Sequence, residues 1–228
     1  HDLMITLRRH ALLVVEPQVW LAVAAAQPET LVRHWAKRGW PLIVRRPYAS
    51  EPELTDRVVP LGLPLPPNEG KRRLSFRVPM EALSPFTASV WPQAVTAQPG
   101  MTAARLADIK RLDALAQRHN VTPEPTGSLL WGAVTGLPYL SPSSDLDLLW
   151  RVDPACLDIH AFLADMEQTA ATLHTPLDGE LIFSGDRAVQ WRELVSASPG
   201  DEVLVKSLTG LSLTPACTLL ALPQVRAA

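Results

Sequence analysis

The spacing of apolar residues predicts helices and strands that alternate along most of the chain. In residues 102–119, leucine and isoleucine recur at helical spacing from Leu106 to Leu115, which predicts an amphipathic helix. Similar patterns predict helices over residues 28–38 and 154–173. Alternation or short apolar runs predict strands over residues 10–15, 41–46, 71–78, 121–127, 146–152, 180–183 and 203–205. Such alternation of strands and helices indicates an α/β or α+β fold around a mixed sheet.

Proline and polar residues mark the predicted boundaries of these elements. The chain has 22 prolines, against a usual share of about 5% of residues. Six of them lie in residues 47–70, where the apolar residues between them predict a long ordered loop that is partly buried. Residues 84–100 are rich in Pro, Ser, Thr, Ala and Gln, which predicts a connector. The expected organisation is a smaller, basic N-terminal α/β domain over residues 1–83 and a mixed-sheet C-terminal domain over residues 101–228.

The composition restricts the classes of function. Hydrophobic residues make up 47% and charged residues 19% of the 228 residues, so a sizeable core is expected. The net charge of −2 argues against bulk binding of nucleic acid. No apolar run approaches the roughly 20 residues of a membrane helix, so no membrane partner is expected. Cys156 and Cys217 lie far apart without a CxxC pair, and a reducing cytoplasm is the expected location.

An acidic pair flanks Leu146 at the start of the strand predicted over residues 146–152. Its members are Asp145 and Asp147. Alternate residues of a strand share one face, so the two carboxylates are expected side by side. Two such charges about 4 Å apart repel by about 4 kcal/mol at an effective dielectric constant near 20, unless water or a cation screens them. Mg²⁺ binds one or two carboxylates with water and phosphate oxygens, so the pair predicts a metal site. The alternative is that Asp145 caps a turn and Asp147 is a solvated surface residue.

Three neighbouring features would add phosphate-binding and metal-binding groups to the acidic pair. Gly127 and Ser128 follow a predicted strand and open a helical turn, where backbone N–H groups suit phosphate oxygens. An ordinary strand-to-helix turn is the alternative. Glu180 begins a predicted strand and is the better candidate for a third carboxylate, because Asp178 precedes a glycine and could form a hairpin turn. Lys206 ends another predicted strand, where it is either a phosphate ligand or a solvated lysine.

The order of these motifs resembles that of a known superfamily. A Gly-Ser turn, an Asp-x-Asp strand and a later acidic strand form the pattern of nucleotidyltransferases. Over nearly the whole chain, the sequence is similar to a narrower family, the malonate decarboxylase holo-acyl-carrier-protein synthases, also called phosphoribosyl-dephospho-CoA transferases. The strings that carry this resemblance are Pro41-Leu42-Ile43-Val44-Arg45-Arg46, Leu61-Gly62-Leu63-Pro64-Leu65-Pro66-Pro67, Gly70-Lys71-Arg72-Arg73, Gly127-Ser128-Leu129-Leu130-Trp131, Thr135-Gly136-Leu137-Pro138-Tyr139, Ser144-Asp145-Leu146-Asp147-Leu148-Leu149-Trp150, Asp178-Gly179-Glu180 and Trp191-Arg192-Glu193.

One feature departs from the wider nucleotidyltransferase pattern. Sixteen residues separate Ser128 from Asp145, which is a longer gap than is usual. The sequence alone therefore leaves open where the Gly-Ser turn lies relative to the metal site. The resemblance otherwise implies a nucleotidyltransferase-like C-terminal domain.

The resemblance implies a specific reaction. A serine of the apo acyl carrier subunit of malonate decarboxylase would attack the α-phosphate of triphosphoribosyl-dephospho-CoA, and diphosphate would leave. One or two Mg²⁺ ions would be held by Asp145, Asp147 and Glu180, and one of these carboxylates would take the serine proton. The nucleophile comes from the partner, so the enzyme needs no activated serine or cysteine of its own. The residues expected to bind substrate are Gly127, Ser128, Arg46, Lys71, Arg73 and Lys206.

The basic residues of the N-terminal part fit the same reaction. Residues 1–80 hold 12 Lys or Arg and 7 Asp or Glu, whereas residues 81–228 hold 9 and 16. Arg73 and Arg77 lie on one face of a predicted strand, where they could meet a triphosphate or an acidic carrier protein. A solvated strand edge is the alternative. The rival functions are another metal-dependent nucleotidyltransferase that uses ATP or CTP, and a catalytically dead module that binds the carrier protein.

Overall fold

The computed structural model describes residues 7–52 and 57–221. The chain forms two compact units, residues 1–89 and residues 90–228. The division falls inside the segment 84–100 that the sequence predicts to be a connector, although this segment also contains helical residues. Of the helices that the structure describes, none combines the length and the hydropathy needed to cross a membrane.

The N-terminal unit is built on a five-stranded sheet. Its strands lie in the order β4-β3-β2-β1-β5, and all the pairings described in it are antiparallel. Its elements are the strands β1 (Leu12–Val15), β2 (Leu42–Val44), β3 (Val58–Pro64), β4 (Arg73–Pro79) and β5 (Leu83–Pro85), the helices α1 (Pro17–Val23) and α2 (Thr30–Arg33), and 3-10 turns at Ala36–Arg38, Pro67–Glu69 and Met80–Ala82. This unit is therefore an antiparallel α+β arrangement with short helices.

Buried tryptophans organise the core of the N-terminal unit. Trp20 is fully buried, donates a hydrogen bond from Nε1 to the Val32 carbonyl at 2.7 Å, and packs edge-on against Phe76. Trp35 is also fully buried and donates from Nε1 to the Pro41 carbonyl at 2.9 Å. Each indole thus buries a large apolar area while its N–H keeps a partner.

The predicted loop over residues 47–70 is wrong, because β3 lies within it. The prolines in this strand explain the error, since proline cannot donate to a ladder. The Pro60 carbonyl accepts a hydrogen bond from Arg45 N, just after β2. The backbone groups of Pro60, including the position of its missing N–H, therefore face β2 rather than β4. Strand β2 has only three residues, paired with Leu61 and Gly62. Pro60 and Pro64 lie outside these paired positions, so neither interrupts the pairing of β2 with Leu61 and Gly62.

The helix predicted over residues 28–38 is also only partly right. The structure has the short helix α2 and a separate 3-10 turn, with His34 at φ −94° and ψ 3° between them. Trp35 and Ala36 are buried at this break. Packing of these side chains into the core outweighs the small gain from continuing a helix.

The C-terminal unit is built on a six-stranded mixed sheet in the order β11-β10-β9-β8-β7-β6. Among the pairings that the structure describes in this sheet, β7–β8 alone is parallel. The elements of this unit are the strands β6 (Pro123–Pro125), β7 (Leu146–Arg151), β8 (Leu177–Phe183), β9 (Arg187–Gln190), β10 (Glu202–Lys206) and β11 (Leu211–Pro215), and the helices α3 (Gln93–Ala97), α4 (Ala103–Arg118), α5 (Gly127–Thr135), α6 (Ile159–Ala171), α7 (Trp191–Ser196) and α8 (Ala216–Leu220). The α6 helix connects the two parallel strands.

The two faces of this sheet differ in chemistry. On one face, Leu146, Leu148 and Trp150 of β7 join a core that includes residues of α4 and α6. The alternate residues of β7, beginning with Asp147, face the opposite side. We call this second side the open face and define it by Asp147, Asp178, Glu180, Gln190 and Lys206.

Several predicted elements of the C-terminal unit are confirmed with altered bounds. The helix over residues 102–119 is α4, and the strand over 146–152 is β7. The helix predicted from residue 154 begins at Ile159, because the Asp158 side chain caps it by accepting from Ala161 N. The strand predicted from Glu180 begins three residues earlier, so Asp178 lies inside β8 and forms no hairpin turn.

Candidate functional site

The candidate site begins where Asp147 meets the first residue of α5. Gly127 has φ +59°, and a Cβ built on it would lie 2.6 Å from Asp147 Oδ2. Real Cβ atoms do not approach an oxygen this closely, so a side chain here would displace the carboxylate, and the positive φ also favours glycine. The backbone fixes the approach, because Thr126 N donates to the Asp147 carbonyl at 3.0 Å. The Gly-Ser turn is therefore next to the acidic strand, despite the sixteen intervening residues.

The N-terminus of α5 lacks a capping side chain. Thr126 is its N-cap residue but makes no hydrogen bond to the helix through its side chain. By contrast, Thr102, Asp158 and Gln190 cap α4, α6 and α7 with side-chain oxygens. The first residues of α5, Gly127 and Ser128, thus present their backbone N–H groups next to the Asp147 carboxylate rather than under a capping side chain. Such a helix start favours anionic groups.

A second carboxylate lies beside Asp147 on the adjacent strand. Strands β7 and β8 pair in parallel with Asp147 opposite Asp178. Neighbouring strands are about 4.8 Å apart, and paired residues project to the same face. We call Asp147 and Asp178 the paired carboxylates. Asp178 Oδ1 accepts hydrogen bonds from Gly179 N at 2.8 Å and from Gln190 Nε2 at 3.1 Å.

The loop before Asp145 is held by a buried arginine. Arg105 of α4 is only 4% exposed, and its guanidinium donates to the carbonyls of Ser141 and Ser144 at 2.8 and 2.7 Å. Asp145 follows directly and is exposed just before β7 begins. The buried guanidinium thus restrains the chain that leads into the acidic strand.

Glu180 and Lys206 form an ion pair on the open face. Lys206 Nζ donates to Glu180 Oε1 at 3.0 Å, and the side chains are 34% and 10% exposed. Glu180 lies two residues beyond Asp178 on β8, opposite Leu149 rather than Asp147. The structure thus brings the two predicted residues together as partners.

The described residues do not assemble a closed metal site from protein groups alone. Within residues 7–52 and 57–221, no three His, Cys, Asp or Glu side chains are grouped so that they could hold a metal ion. The available ligands are carboxylate oxygens from adjacent strand positions, next to the start of α5. These protein oxygens would bind an ion only together with other ligands, such as water or phosphate oxygens.

The predicted basic residues lie in the N-terminal unit. Arg46 follows β2 and is half-buried, Lys71 lies in a turn with φ +50°, and Arg73 is the exposed first residue of β4. Arg73 and Arg77 share a face of β4 but lie four residues apart, or about 13 Å along the strand. Lys71 and Arg73 lie at the start of the edge strand β4, whereas Arg46 follows the interior strand β2.

Arg45, which precedes Arg46, is held by an acidic partner. Its guanidinium donates to both carboxylate oxygens of Glu51 at 2.6 Å. This bidentate hydrogen bonding lowers the pKa of Glu51 to about 2. The same guanidinium lies over the ring of Tyr48. Arg45 therefore has a structural role in its own unit.

Sequence reasoning missed Gln190. Gln190 is the last residue of β9. Its side chain caps α7 through Oε1 and donates a hydrogen bond to Asp178 through Nε2. No motif in the sequence indicated a role for Gln190, and the pattern analysis predicts no strand at β9. The signal present was the matching string Trp191-Arg192-Glu193 directly after it.

The comparisons with known proteins cover both units. Residues 8–88 match the model of the phosphoribosyl-dephospho-CoA transferase MdcG N-terminal domain, and residues 91–216 match that of the MdcG C-terminal domain. No solved structure matches the chain significantly. The family models thus account for nearly all the residues that the structure describes.

Similar proteins carry one name. A phosphoribosyl-dephospho-CoA transferase of Bradyrhizobium diazoefficiens is 36% identical over 211 residues, covering 88% of this chain and 86% of the relative. Proteins of the same name from Xanthomonas euvesicatoria and Xanthomonas axonopodis are 36% and 37% identical, each covering 92% of this chain and 95% of the relative. The chain therefore belongs to the phosphoribosyl-dephospho-CoA transferase family of enzymes.

Proposed function

We propose that this protein transfers the prosthetic group of triphosphoribosyl-dephospho-CoA to a serine of the apo acyl carrier subunit of malonate decarboxylase, with release of diphosphate. The observation that carries the proposal is the contact of the Asp147 carboxylate with the glycine that begins α5, beside Asp178 on the next strand. The family provides the transferase reaction and the dephospho-CoA-derived substrate. The identity of the acceptor, a serine of the malonate decarboxylase carrier subunit, is the part that we propose beyond the family.

The local charges explain why a polyphosphate suits this site. Helix starts favour phosphate oxygens, and the start of α5 adjoins the paired carboxylates. A phosphate and a carboxylate repel each other at such close range, unless a cation lies between them. The site therefore favours an anionic substrate that arrives together with a divalent ion.

The carboxylates fit Mg²⁺ by their chemistry. Mg²⁺ prefers hard oxygen ligands and usually binds one or two carboxylates, with waters and substrate phosphates completing its shell. Asp147, together with Asp145 or Asp178, offers this set, and the triphosphate would supply the remaining ligands. When bound, one or two Mg²⁺ ions would neutralise charge on the transferred and leaving phosphates.

The chain's own residues would position the reactants. Backbone N–H groups of Gly127 and Ser128 would hold phosphate oxygens at the start of α5. A carboxylate of the open face would accept the proton of the carrier serine as its oxygen attacks the α-phosphorus. The bond between that phosphorus and the bridging oxygen of diphosphate breaks, and the carrier gains a phosphodiester. In-line positioning and charge neutralisation provide most of the rate enhancement in phosphoryl transfer.

Asp178 is a better third carboxylate than Glu180 in this mechanism. Asp178 lies opposite Asp147, whereas Glu180 is 8% exposed and paired with Lys206. The ion pair favours a role for Glu180 as the group that orients Lys206. Lys206, which is one-third exposed, would then contact a phosphate of the substrate. Arg46, Lys71 and Arg73 remain proposed contacts to the triphosphate or the carrier.

The proposal is tested by the mass of the carrier protein. The purified protein is incubated with Mg²⁺, the apo carrier subunit and triphosphoribosyl-dephospho-CoA, and the carrier is examined by intact-mass spectrometry. The expected result is a mass gain equal to the precursor minus diphosphate. Parallel incubations contain ATP or CTP in place of the precursor.

The controls separate the rival functions. A carrier whose acceptor serine is replaced by alanine should gain no mass. Mass gain from ATP or CTP alone would assign the protein to another nucleotidyltransferase reaction. Binding of the carrier without any mass gain would indicate a module that has lost catalysis.

A further inference from the structure

Gln190 connects a helix start to the acidic site. Its Oε1 accepts hydrogen bonds from Arg192 N at 2.7 Å and Glu193 N at 3.2 Å, which makes it the N-cap of α7. Its Nε2 donates to Asp178 Oδ1 at 3.1 Å. One amide group therefore satisfies two backbone donors of α7 and one carboxylate of the site.

The helix fixes the orientation of this amide. An amide oxygen and its NH₂ group differ sharply in what they can bond, since the oxygen only accepts and the NH₂ only donates. Turning the amide over would direct the NH₂ of Gln190 at the two N–H groups of α7, and its oxygen at the Asp178 carboxylate. Both contacts would then be repulsive. The cap thus ensures that Asp178 meets a donor.

The donor restrains the carboxylate next to Asp147. Asp178 Oδ1 accepts from Gly179 N as well as from Gln190 Nε2, and Oδ2 receives neither of these bonds. Two donors on one oxygen limit the rotation of the carboxylate. Because Asp178 is the register partner of Asp147, this restraint acts on the separation of the paired carboxylates.

We propose that Gln190 is a positioning residue, which uses its cap on α7 to hold Asp178 beside Asp147 and thereby sets the affinity of the paired carboxylates for a divalent cation. This inference rests on the proposed function for the use that the cation serves. Partners that orient a metal ligand typically contribute about 10- to 100-fold to affinity.

The selective test is Gln190→Ser. Serine is a good N-cap and keeps the bond to α7, but it is too short to reach Asp178 as well. Binding of Mn²⁺ alone to the full chain is measured by electron paramagnetic resonance. We expect a dissociation constant about tenfold higher than that of the unsubstituted protein, with an almost unchanged melting temperature.

Two further variants separate the cap from the positioning role. Gln190→Ala removes both contacts and should weaken Mn²⁺ binding to the same extent while also lowering the melting temperature. Asp158→Ala removes only the cap of α6 and should lower the melting temperature without changing Mn²⁺ affinity. Unchanged Mn²⁺ affinity in Gln190→Ser, or no measurable Mn²⁺ binding by the unsubstituted protein, would overturn the inference.

The transfer assay adds a second measurement. In Gln190→Ser, the Mg²⁺ concentration for half-maximal transfer should rise about tenfold, while the rate at saturating Mg²⁺ stays within about threefold. A loss of rate that excess Mg²⁺ does not restore would contradict a positioning role. If the unsubstituted protein transferred no precursor at all, the proposed function would fail, but the Mn²⁺ comparison would still test Gln190.

Discussion

Two acidic groupings of the C-terminal unit use the carboxylate group in opposite ways. One is Asp108 with its hydrogen-bond donors, and the other is the paired carboxylates Asp147 and Asp178. Asp108 lies in the middle of α4 with no exposed side-chain surface, and it accepts hydrogen bonds from His174 N, Thr175 N and the His174 ring. The paired carboxylates lie beside each other on adjacent strands instead. Asp108 is a single carboxylate with no exposed surface, whereas Asp147 and Asp178 place two carboxylates at facing positions of adjacent strands.

The difference indicates where stability and chemistry reside. A buried carboxylate with its own donors stabilises the folded chain, because unfolding must replace each of those bonds with water. Two carboxylates at facing register positions repel each other, and a cation between them would relieve that repulsion. Substitutions should therefore affect stability at Asp108 and transfer at the paired carboxylates.

The largest expected effect is that of Asp147→Asn. The change keeps the shape of the side chain but removes its charge, so the affinity for Mg²⁺ and the stabilisation of the transition state are lost. We expect the transfer rate to fall by about 1,000-fold, or about 4 kcal/mol. A rate close to that of the unsubstituted protein would remove Asp147 from the mechanism.

Asp108→Ala should have the opposite effect. The substitution leaves the part-buried N–H groups of His174 and Thr175 without their acceptor, and each such loss costs about 1–3 kcal/mol where the group is shielded from water. We expect the free energy of unfolding in urea to fall by about 3 kcal/mol. Transfer at 15 °C by the folded fraction should remain. Equal loss of transfer in Asp108→Ala and Asp147→Asn would erase the distinction between the two groupings.

Gly127→Ala tests the close approach of α5 to Asp147. The new methyl group would overlap Asp147 Oδ2 and displace the carboxylate. We expect about 100-fold slower transfer, because misplacement of a reacting group by about 1 Å has this effect. The matched control is Gly136→Ala at the other end of α5, where φ is also positive but the Cβ meets nothing within 4 Å. The control should lose some stability but little activity.

Glu180→Gln should have a smaller effect on transfer. The variant removes the charge that orients Lys206 but leaves Asp147 and Asp178 in place. We expect transfer to slow by about tenfold, or about 1.4 kcal/mol. If the loss equalled that of Asp147→Asn, Glu180 rather than Asp178 would be the third carboxylate. Steady-state rates of carrier loading give the comparison.

The pH dependence of stability should give the smallest effect. Burial alone would raise the pKa of Asp108, but bonds from His174 and Thr175 outweigh it, and the net pKa lies below the usual value of 3.8. A lowered pKa in the folded state stabilises the chain above the unfolded pKa, and this stabilisation is lost as the pH falls through the folded pKa. Unfolding free energies from pH 6 to 3 should therefore fall more for the unsubstituted protein than for Asp108→Asn. Parallel curves would contradict this.

The sequence predicted the parts of the fold in which local pattern and tertiary packing agree. Helix α4 has apolar residues at regular spacing and a Thr102 cap, and strand β7 is largely apolar apart from Asp147 and the final Arg151. Strand β3 was missed because Pro60 and Pro64 argue against a strand, and only the shortness of β2 makes them harmless. That condition depends on a neighbour and cannot be recognised from the strand itself.

The candidate site was predicted in a similar way. The positions Asp145, Asp147, Gly127 and Ser128 follow from motif and resemblance, but the contact of Gly127 with Asp147 depends on how α5 begins. Asp178 ranks below Glu180 on sequence alone because Asp-Gly often forms a turn, yet Gly179 is needed here for close packing. A Cβ on it would lie 1.7 Å from the Leu148 carbonyl oxygen. The register of β8 then sets Asp178 rather than Glu180 opposite Asp147.

The most direct measurement compares Mn²⁺ affinities across the two acidic groupings. Electron paramagnetic resonance titrations would be made on the unsubstituted protein, on the double variant Asp147→Asn with Asp178→Asn, and on Asp108→Asn. We predict that the double variant loses Mn²⁺ binding while Asp108→Asn retains it. Undiminished Mn²⁺ affinity in the double variant would show that the paired carboxylates do not hold the divalent ion.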